Sequence, residues 1–255
     1  IACPEWNEAQ RRRLLEAAMA NLARSAVEFL QLARLERGEL VERVAVQDLE
    51  HFEAARARSP TGGVIVLTAH FGSWELLQAA MAARGFPLAV VHRRRDRATL
   101  DAGMMRLRAR SGTQLLGRGM AARAGLRALR EGRILAMPYD QNSPRSQGVF
   151  VPFFGRLACT RHGPARMAMR SRVPVVPVFV HRVGEGPRHV ARFHPALELA
   201  PEGEERERAV RENVARMTWA VEEAIREAPD HWVWTHRRWR TAPPGEPHPY
   251  GRRRG

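Results

Sequence analysis

The sequence of 255 residues contains no lysine, so all 42 of its basic residues are arginine. Set against 27 acidic residues, they give a formal net charge of +15 at pH 7. Because such a charge attracts anionic surfaces, it favours nucleic acid, acidic phospholipid or an acidic carrier protein as a partner. Charged residues make up 27% of the chain, as in an average folded protein, so general disorder is not expected.

Cysteine is also scarce, with only Cys3 and Cys159, which lie far apart and outside any Cys-x-x-Cys pattern. A disulfide framework or a zinc site is therefore not expected, and a reducing compartment is. No run approaches 18 apolar residues and no signal-peptide pattern is present, so the visible chain has no predicted spanning helix. The chain begins with Ile1 instead of Met, and we therefore expect that a segment was removed, with an N-terminal membrane anchor as one identity for it.

Three familiar catalytic signatures are missing as well. There is no G-x-S-x-G turn, which argues against an enzyme with a serine nucleophile. There is no P-loop and no G-x-G-x-x-G after a predicted strand, which argues against a nucleotide cofactor.

Apolar runs of strand length alternate with helical patterns from residue 64 to residue 230, which predicts a single α/β domain. The sheet is expected to be mostly parallel or mixed and to be flanked by helices. The predicted strands are 64–68, 88–92, 134–137, 149–154, 173–180 and 189–193. Residues 7–36 and 38–57 are predicted helices, so that 1–59 form an N-terminal helical segment packed on a core of 60–245. Residues 246–255 are a predicted flexible tail.

The strongest candidate for chemistry is His70, which follows the predicted buried strand 64–68. Ligands bind at the carboxyl ends of strands in parallel α/β sheets. Glu75 follows in the first turn of the next helix, where a bend of the chain before the helix can bring it back to His70. A carboxylate on one imidazole nitrogen would leave the other nitrogen able to take a proton from a hydroxyl. The alternative from position alone is a capping histidine beside an acid that favours the helix dipole.

An apolar strand that runs into His-x4-Asp/Glu resembles the signature of the glycerolipid acyltransferase superfamily. Within it, His70-Phe71-x-x-Trp74-Glu75 resembles the bacterial lipid A biosynthesis acyltransferases, which transfer lauroyl and myristoyl groups. Further similar blocks follow in order at 91–94, 140–145, 149–155, 160–165, 175–178 and 232–238. The resemblance covers residues 60–245.

This resemblance implies a fold like that of glycerol-3-phosphate acyltransferase, and it implies roles for single residues. His70 would be the general base and Glu75 its orienting partner. Arg93 would lie near the thioester or bind a phosphate, Asp140 would be a polar residue at the site, and Arg145 would contact an anion. No metal and no cofactor are implied, since an acyl carrier protein or CoA thioester serves as co-substrate.

The function implied is that of a membrane-associated O-acyltransferase at the cytoplasmic face of the bacterial inner membrane. It would move a fatty acyl group to a hydroxyl of an anionic, lipid A-type glycolipid, and no nucleic acid would be a partner. One alternative keeps the chemistry and changes the acceptor to a phosphatidylinositol mannoside or an aminolipid. An alternative of another class is a non-catalytic, basic nucleic-acid-binding protein that uses the tryptophans and arginines of 232–240 for stacking and phosphate contact.

Overall fold

A computed structural model describes residues 2–92, 105, 108, 112–117 and 121–251. Its strands are β1 (Val44–Gln47), β2 (Val64–Thr68), β3 (Leu88–His92), β4 (Gln114–Gly117), β5 (Ile134–Pro138), β6 (Gly148–Phe153), β7 (Arg156–Arg161), β8 (Val175–Arg182) and β9 (His189–Phe193). Its helices are α1 (Glu8–Gln31), α2 (Arg37–Arg43), α3 (Leu49–Arg58), α4 (Trp74–Ala83), α5 (Ala121–Arg130), α6 (Gly163–Ser171) and α7 (Arg206–Glu227).

The main sheet has the strand order β1-β9-β8-β2-β5-β3-β4, and β6 pairs with β7 in a separate antiparallel hairpin. Neighbours in the main sheet are parallel except for β8 and β9. The central strand β2 is buried at all five of its positions, because helices cover both faces of the sheet. The predicted α/β domain with a mostly parallel sheet flanked by helices is therefore confirmed.

The helices divide between the two faces of the sheet. The side chains of α2, α3 and α4 pack with one set of core residues, and those of α5, α6 and α7 pack with the other. Helix α4 follows directly from the loop after β2 and is buried along most of its length. In the described ranges, no helix is long and apolar enough to cross a membrane.

The predicted helix over 38–57 is wrong, because the structure divides this segment into α2, β1 and α3. Strand β1 lies at the edge of the sheet and pairs in parallel with β9, with Val44 opposite His189. Only Val44 of this strand is fully buried, so the sequence lacks the apolar run that marks a central strand. Asp48, at a positive φ of 57°, separates the strand from α3.

Helix α1 is held to the sheet by a buried ionic contact. The Glu28 carboxylate accepts hydrogen bonds from Arg182 Nη1 at 2.6 Å and contacts His189 Nε2 at 3.0 Å. Burial opposes the charged carboxylate, but the contacts with His189 and Arg182 outweigh it and lower the pKa of Glu28 to about 2. Glu28 therefore remains ionised in the folded protein and attaches α1 to β8 and β9.

We expect the Glu28→Gln variant to be less stable than the native chain by roughly 3 kcal/mol at neutral pH, because it leaves a buried arginine without its counter-charge. Since folding lowers this pKa from 4.5 to about 2, the contribution is fully present above pH 4.5 and is lost as the pH falls towards 2. Urea unfolding across this range measures both effects. Glu16→Gln, an exposed position of the same helix, is the control. Equal stability of the two variants would contradict the prediction.

Candidate active site

The register of two parallel strands brings His70 and Asp140 together. Thr68, the last residue of β2, lies opposite Pro138, the last residue of β5. The two chains continue side by side, with the Tyr139 amide donating to the Thr68 carbonyl at 2.8 Å. Two residues beyond each strand, the His70 Nδ1 and the Asp140 Oδ1 are 2.8 Å apart.

Asp140 is almost completely buried, at 1% exposure. Its second carboxylate oxygen accepts a hydrogen bond from the Trp232 indole Nε1 at 3.0 Å. Burial opposes the charged form, but His70 and the hydrogen bond from Trp232 lower the pKa of Asp140 to about 2. The carboxylate is therefore a fixed negative charge beside Nδ1 of the imidazole.

The two nitrogens of the His70 ring have different surroundings. Because Nδ1 bonds to a carboxylate, it carries the proton of the neutral ring and leaves Nε2 as the basic nitrogen. The side chain is 27% exposed, and the Gln141 amide nitrogen lies 3.5 Å from Nε2. Burial opposes protonation of His70, yet the Asp140 charge outweighs it and raises the pKa of His70 above its ordinary value. The pair has the arrangement of a general base with an orienting acid.

Glu75, which was predicted to orient His70, contacts Arg108 in the structure. Its carboxylate receives two hydrogen bonds from the Arg108 guanidinium, one of them from Nε at 3.0 Å. The acid that contacts His70 is Asp140 instead, because the parallel strands bring it to Nδ1 while the first turn of α4 directs Glu75 to Arg108. Both charges of the Glu75–Arg108 pair still act on His70, with Glu75 raising its pKa and Arg108 lowering it.

Arg108 was not predicted as a site residue, since no motif surrounds it in the sequence. Trp232 was noted only as part of a similar block, although its indole contacts Asp140. Arg145 was predicted to bind an anion, and its guanidinium donates to the Ala242 carbonyl at 2.8 Å. Arg93 lies outside the described residues.

The segment that follows α7 holds the loop that carries His70. The Gly72 amide donates to the His231 carbonyl at 2.8 Å, and the Val233 amide donates to the His70 carbonyl at 3.1 Å. Gly72 has a φ of +56°, and a Cβ atom there would lie 1.9 Å from the Val180 carbonyl oxygen. Only glycine fits this position, which allows the close approach of the loop to β8.

Three of the six tryptophans and arginines between 232 and 240 are buried in the core. Trp232, Arg238 and Trp239 are each at most 4% exposed. The Arg238 guanidinium donates to the Cys159 carbonyl at 3.0 Å and to the Thr160 hydroxyl, which joins this segment to β7. These side chains are therefore not available for stacking on nucleic acid, as one interpretation of the sequence required.

A narrow apolar cavity of about 30 Å³ lies between α4 and the sheet. Its lining includes Val66, Trp74, Met81, Ala136 and Val178. Trp74 also meets the His70 ring edge-on, with 5.3 Å between ring centroids. One end of the cavity therefore lies beside the catalytic candidate.

The sequence is similar to those of known acyltransferases. A sequence model of the bacterial lipid A biosynthesis acyltransferase family matches residues 1–241. The chain belongs to this family. It is 26% identical over 243 residues to a lipid A biosynthesis acyltransferase of Haemophilus influenzae, covering 95% of this chain and 74% of the relative. It is 26% identical over 255 residues to the lipid A biosynthesis lauroyltransferase of Escherichia coli, covering 98% and 79% of the two chains.

A third relative is a phosphatidylinositol mannoside acyltransferase of Mycolicibacterium smegmatis, 27% identical over 191 residues, with 73% of this chain and 61% of the relative covered. All three relatives transfer acyl groups by name. The protein is therefore an acyltransferase, and the interpretation as a non-catalytic nucleic-acid-binding protein is wrong.

We expect Asp140→Asn to lower the rate of acyl transfer by roughly a hundredfold or more, because the amide neither fixes the tautomer nor stabilises the imidazolium. Loss of the negative charge also lowers the pKa of His70, so the acidic limb of the kcat/KM profile moves to lower pH. Rate measurements across the pH range check both effects. Asp48→Asn, at a half-exposed carboxylate remote from His70, is the control. An unshifted acidic limb would show that Asp140 does not set the pKa of the base.

Proposed function

We propose that the protein transfers a fatty acyl group from a thioester donor to a hydroxyl of a lipid A-type glycolipid. The observation that carries the proposal is the 2.8 Å contact of His70 Nδ1 with the buried Asp140 carboxylate, in a chain of the lipid A acyltransferase family. It leaves Nε2 of a partly exposed imidazole available to an acceptor alcohol.

The reaction needs a base and no enzyme nucleophile. His70 Nε2 takes the proton of the acceptor hydroxyl while that oxygen attacks the carbonyl carbon of the thioester. The tetrahedral intermediate carries its negative charge on the former carbonyl oxygen. When the C–S bond breaks, the thiolate leaves with the electron pair and receives the proton from the imidazolium. Asp140 stabilises the imidazolium through both steps.

The charges of the Glu75–Arg108 pair act on His70, and the pair is suited to support the same chemistry. Arg108 is 17% exposed and its guanidinium is fixed by two hydrogen bonds to Glu75. We assign Arg108 the stabilisation of the oxyanion, because a fixed positive charge near the base is suited to a charge that develops in the transition state. Glu75 is then a positioning residue that orients Arg108.

The apolar cavity beside Trp74 is the proposed site of the acyl chain. Its described lining is almost wholly apolar, and it begins next to His70, where the thioester carbonyl must lie. Its volume of about 30 Å³ is too small for a fatty acyl chain, so binding requires the lining side chains to move aside. Met81 is suited to this because its unbranched side chain repacks readily.

The donor and acceptor follow from charge and from the relatives. A chain of net charge +15 suits both an acidic acyl carrier protein and the phosphates of a glycolipid, and a CoA thioester is the other donor. We propose Arg93 and Arg145 as anion-binding residues for these groups, and the cytoplasmic face of the inner membrane as the place of reaction. The similarity to a phosphatidylinositol mannoside acyltransferase makes that glycolipid the second candidate acceptor.

We expect purified His70→Ala to lose transfer by roughly a factor of 10²–10⁴, since the base is removed. The circular dichroism spectrum should stay unchanged, because His70 lies in the loop between β2 and α4, whose backbone contacts persist. His248→Ala, at an exposed histidine, is the matched control and should keep full activity. Undiminished transfer by His70→Ala would overturn the proposed mechanism.

Mass spectrometry of glycolipids from cells with and without the gene should show a mass difference of one acyl chain, with fragment ions that identify the acceptor.

We expect Ala136→Leu to shift the product to shorter chains, because the added volume fills the cavity. Met81→Ala should shift it to longer chains, because it widens the cavity. If both folded variants transfer the native chain, the acyl chain binds elsewhere.

A further inference from the structure

Helix α1 has two faces with different surroundings. Ser25 and Glu28 are buried on its inner face, where the Ser25 hydroxyl donates to the Gly72 carbonyl at 3.2 Å. On its outer face the exposed large side chains are Leu15 (52%), Met19 (45%), Val27 (54%) and Leu30 (67%). Of the seven large hydrophobic side chains exposed in the described part of the chain, these four lie on this one helix.

The four exposed side chains form a stripe. At about 100° per residue, Leu15, Met19, Val27 and Leu30 fall within a sector of about 120°, and the buried Glu28 lies nearly opposite its centre. The exposed residues Ala23 and Ala26 fall within the same sector, as does the exposed Glu16 next to Leu15. The stripe runs for roughly 22 Å along the helix. Single exposed apolar residues are ordinary on a surface, but a stripe that holds no charged residue from Met19 to Leu30 marks an interaction site.

Basic residues border this stripe. Arg11, Arg12, Arg13 and Arg24 are exposed on α1, and Arg34 follows the helix. The exposed acids of the helix are fewer, namely Glu8 and Glu16. An apolar face bordered by arginines is the pattern of a helix that lies in the plane of a membrane interface, and the net charge of +15 favours anionic lipid. The core of a protein–protein interface, in contrast, is depleted in charge.

We propose that α1 lies in the headgroup layer of an anionic bilayer through Leu15, Met19, Val27 and Leu30. The inference rests on the proposed function in one respect, which is that the acceptor is a lipid held in that bilayer. It names the surface that meets the lipid and the helix that carries it.

The inner face of α1 explains why this orientation is productive. The Ser25 contact with Gly72 joins the helix to the loop that carries His70, and the Asn21 amide donates to the backbone and side-chain oxygens of Asp230 at 3.0 and 2.9 Å. The helix is about 10 Å across, so a docked α1 holds the His70 loop about one helix diameter from the headgroups. A membrane glycolipid then needs to rise only a short way to reach His70.

Co-sedimentation of the purified chain with vesicles tests the surface. We expect binding to vesicles of equal parts phosphatidylglycerol and phosphatidylcholine, and weaker binding to pure phosphatidylcholine or at high salt. Leu15→Gln combined with Leu30→Gln should weaken partitioning about tenfold or more, because two large apolar side chains no longer enter the lipid. Leu157→Gln combined with Val183→Gln removes two exposed apolar side chains elsewhere and should bind as the native chain does.

Several outcomes would overturn the proposal. The α1 variant could bind vesicles as tightly as the native chain, or the control variant could lose binding equally. Sedimentation without lipid could also show a dimer that the α1 variant abolishes, which would assign the stripe to a second copy of the chain.

A separate assay of acyl transfer in detergent micelles keeps this proposal distinct from the proposed function. The α1 variant should remain active there, because the His70–Asp140 contact is intact. If the native chain binds vesicles through α1 and yet transfers no acyl group, the proposed function is wrong and the proposal that α1 binds the membrane is supported. If transfer is normal and the native chain does not bind vesicles, only the proposal that α1 binds the membrane is wrong.

Discussion

The hydrogen bond between His70 and Asp140 depends on the parallel pairing of β2 with β5. The pairing places Thr68 beside Pro138, and each strand then needs two further residues to bring the imidazole and the carboxylate to 2.8 Å. A slip of either strand by one residue would move each buried side chain of β2 and β5 into the core on the opposite face, where different side chains pack. The contact between His70 and Asp140 thus depends on the hydrophobic core on both sides of the sheet.

The sequence singled out His70 as the candidate base, and it did not predict that Asp140 is the acid in contact with it. Strand β2 is buried on both faces, which gives the continuous apolar run 64–68 and places His70 at its end. The order of strands in a sheet is not written in any local pattern, and β5 is separated from β2 by more than 60 residues. Glu75 was favoured because it is near His70 along the chain, whereas Asp140 is near it in space.

The other differences have a similar origin. Strand β1 at the sheet edge buries only Val44 fully, so its local sequence resembles a polar helix. Trp232 and Arg238 lie in a segment rich in charge and aromatic residues, which is typical of a surface, and only tertiary contacts with Asp140 and β7 show that both are buried. Arg108 could not be recognised because no motif surrounds it and its hydrogen bonds to Glu75 depend on the fold. Local patterns therefore indicated the elements, and contacts distant in sequence determined the site.

The backbone contacts between the His70 loop and residues 231–233 also have a consequence for the order of assembly. A ribosome makes the loop more than 150 residues before it makes the segment that holds it. Contacts between residues so distant in sequence form late, after the chain between them has been organised. The sheet can then be complete while His70 still lacks its support from His231 and Val233. The backbone contacts that hold the His70 loop therefore cannot form until residues 231–233 have been made, whatever the state of the sheet.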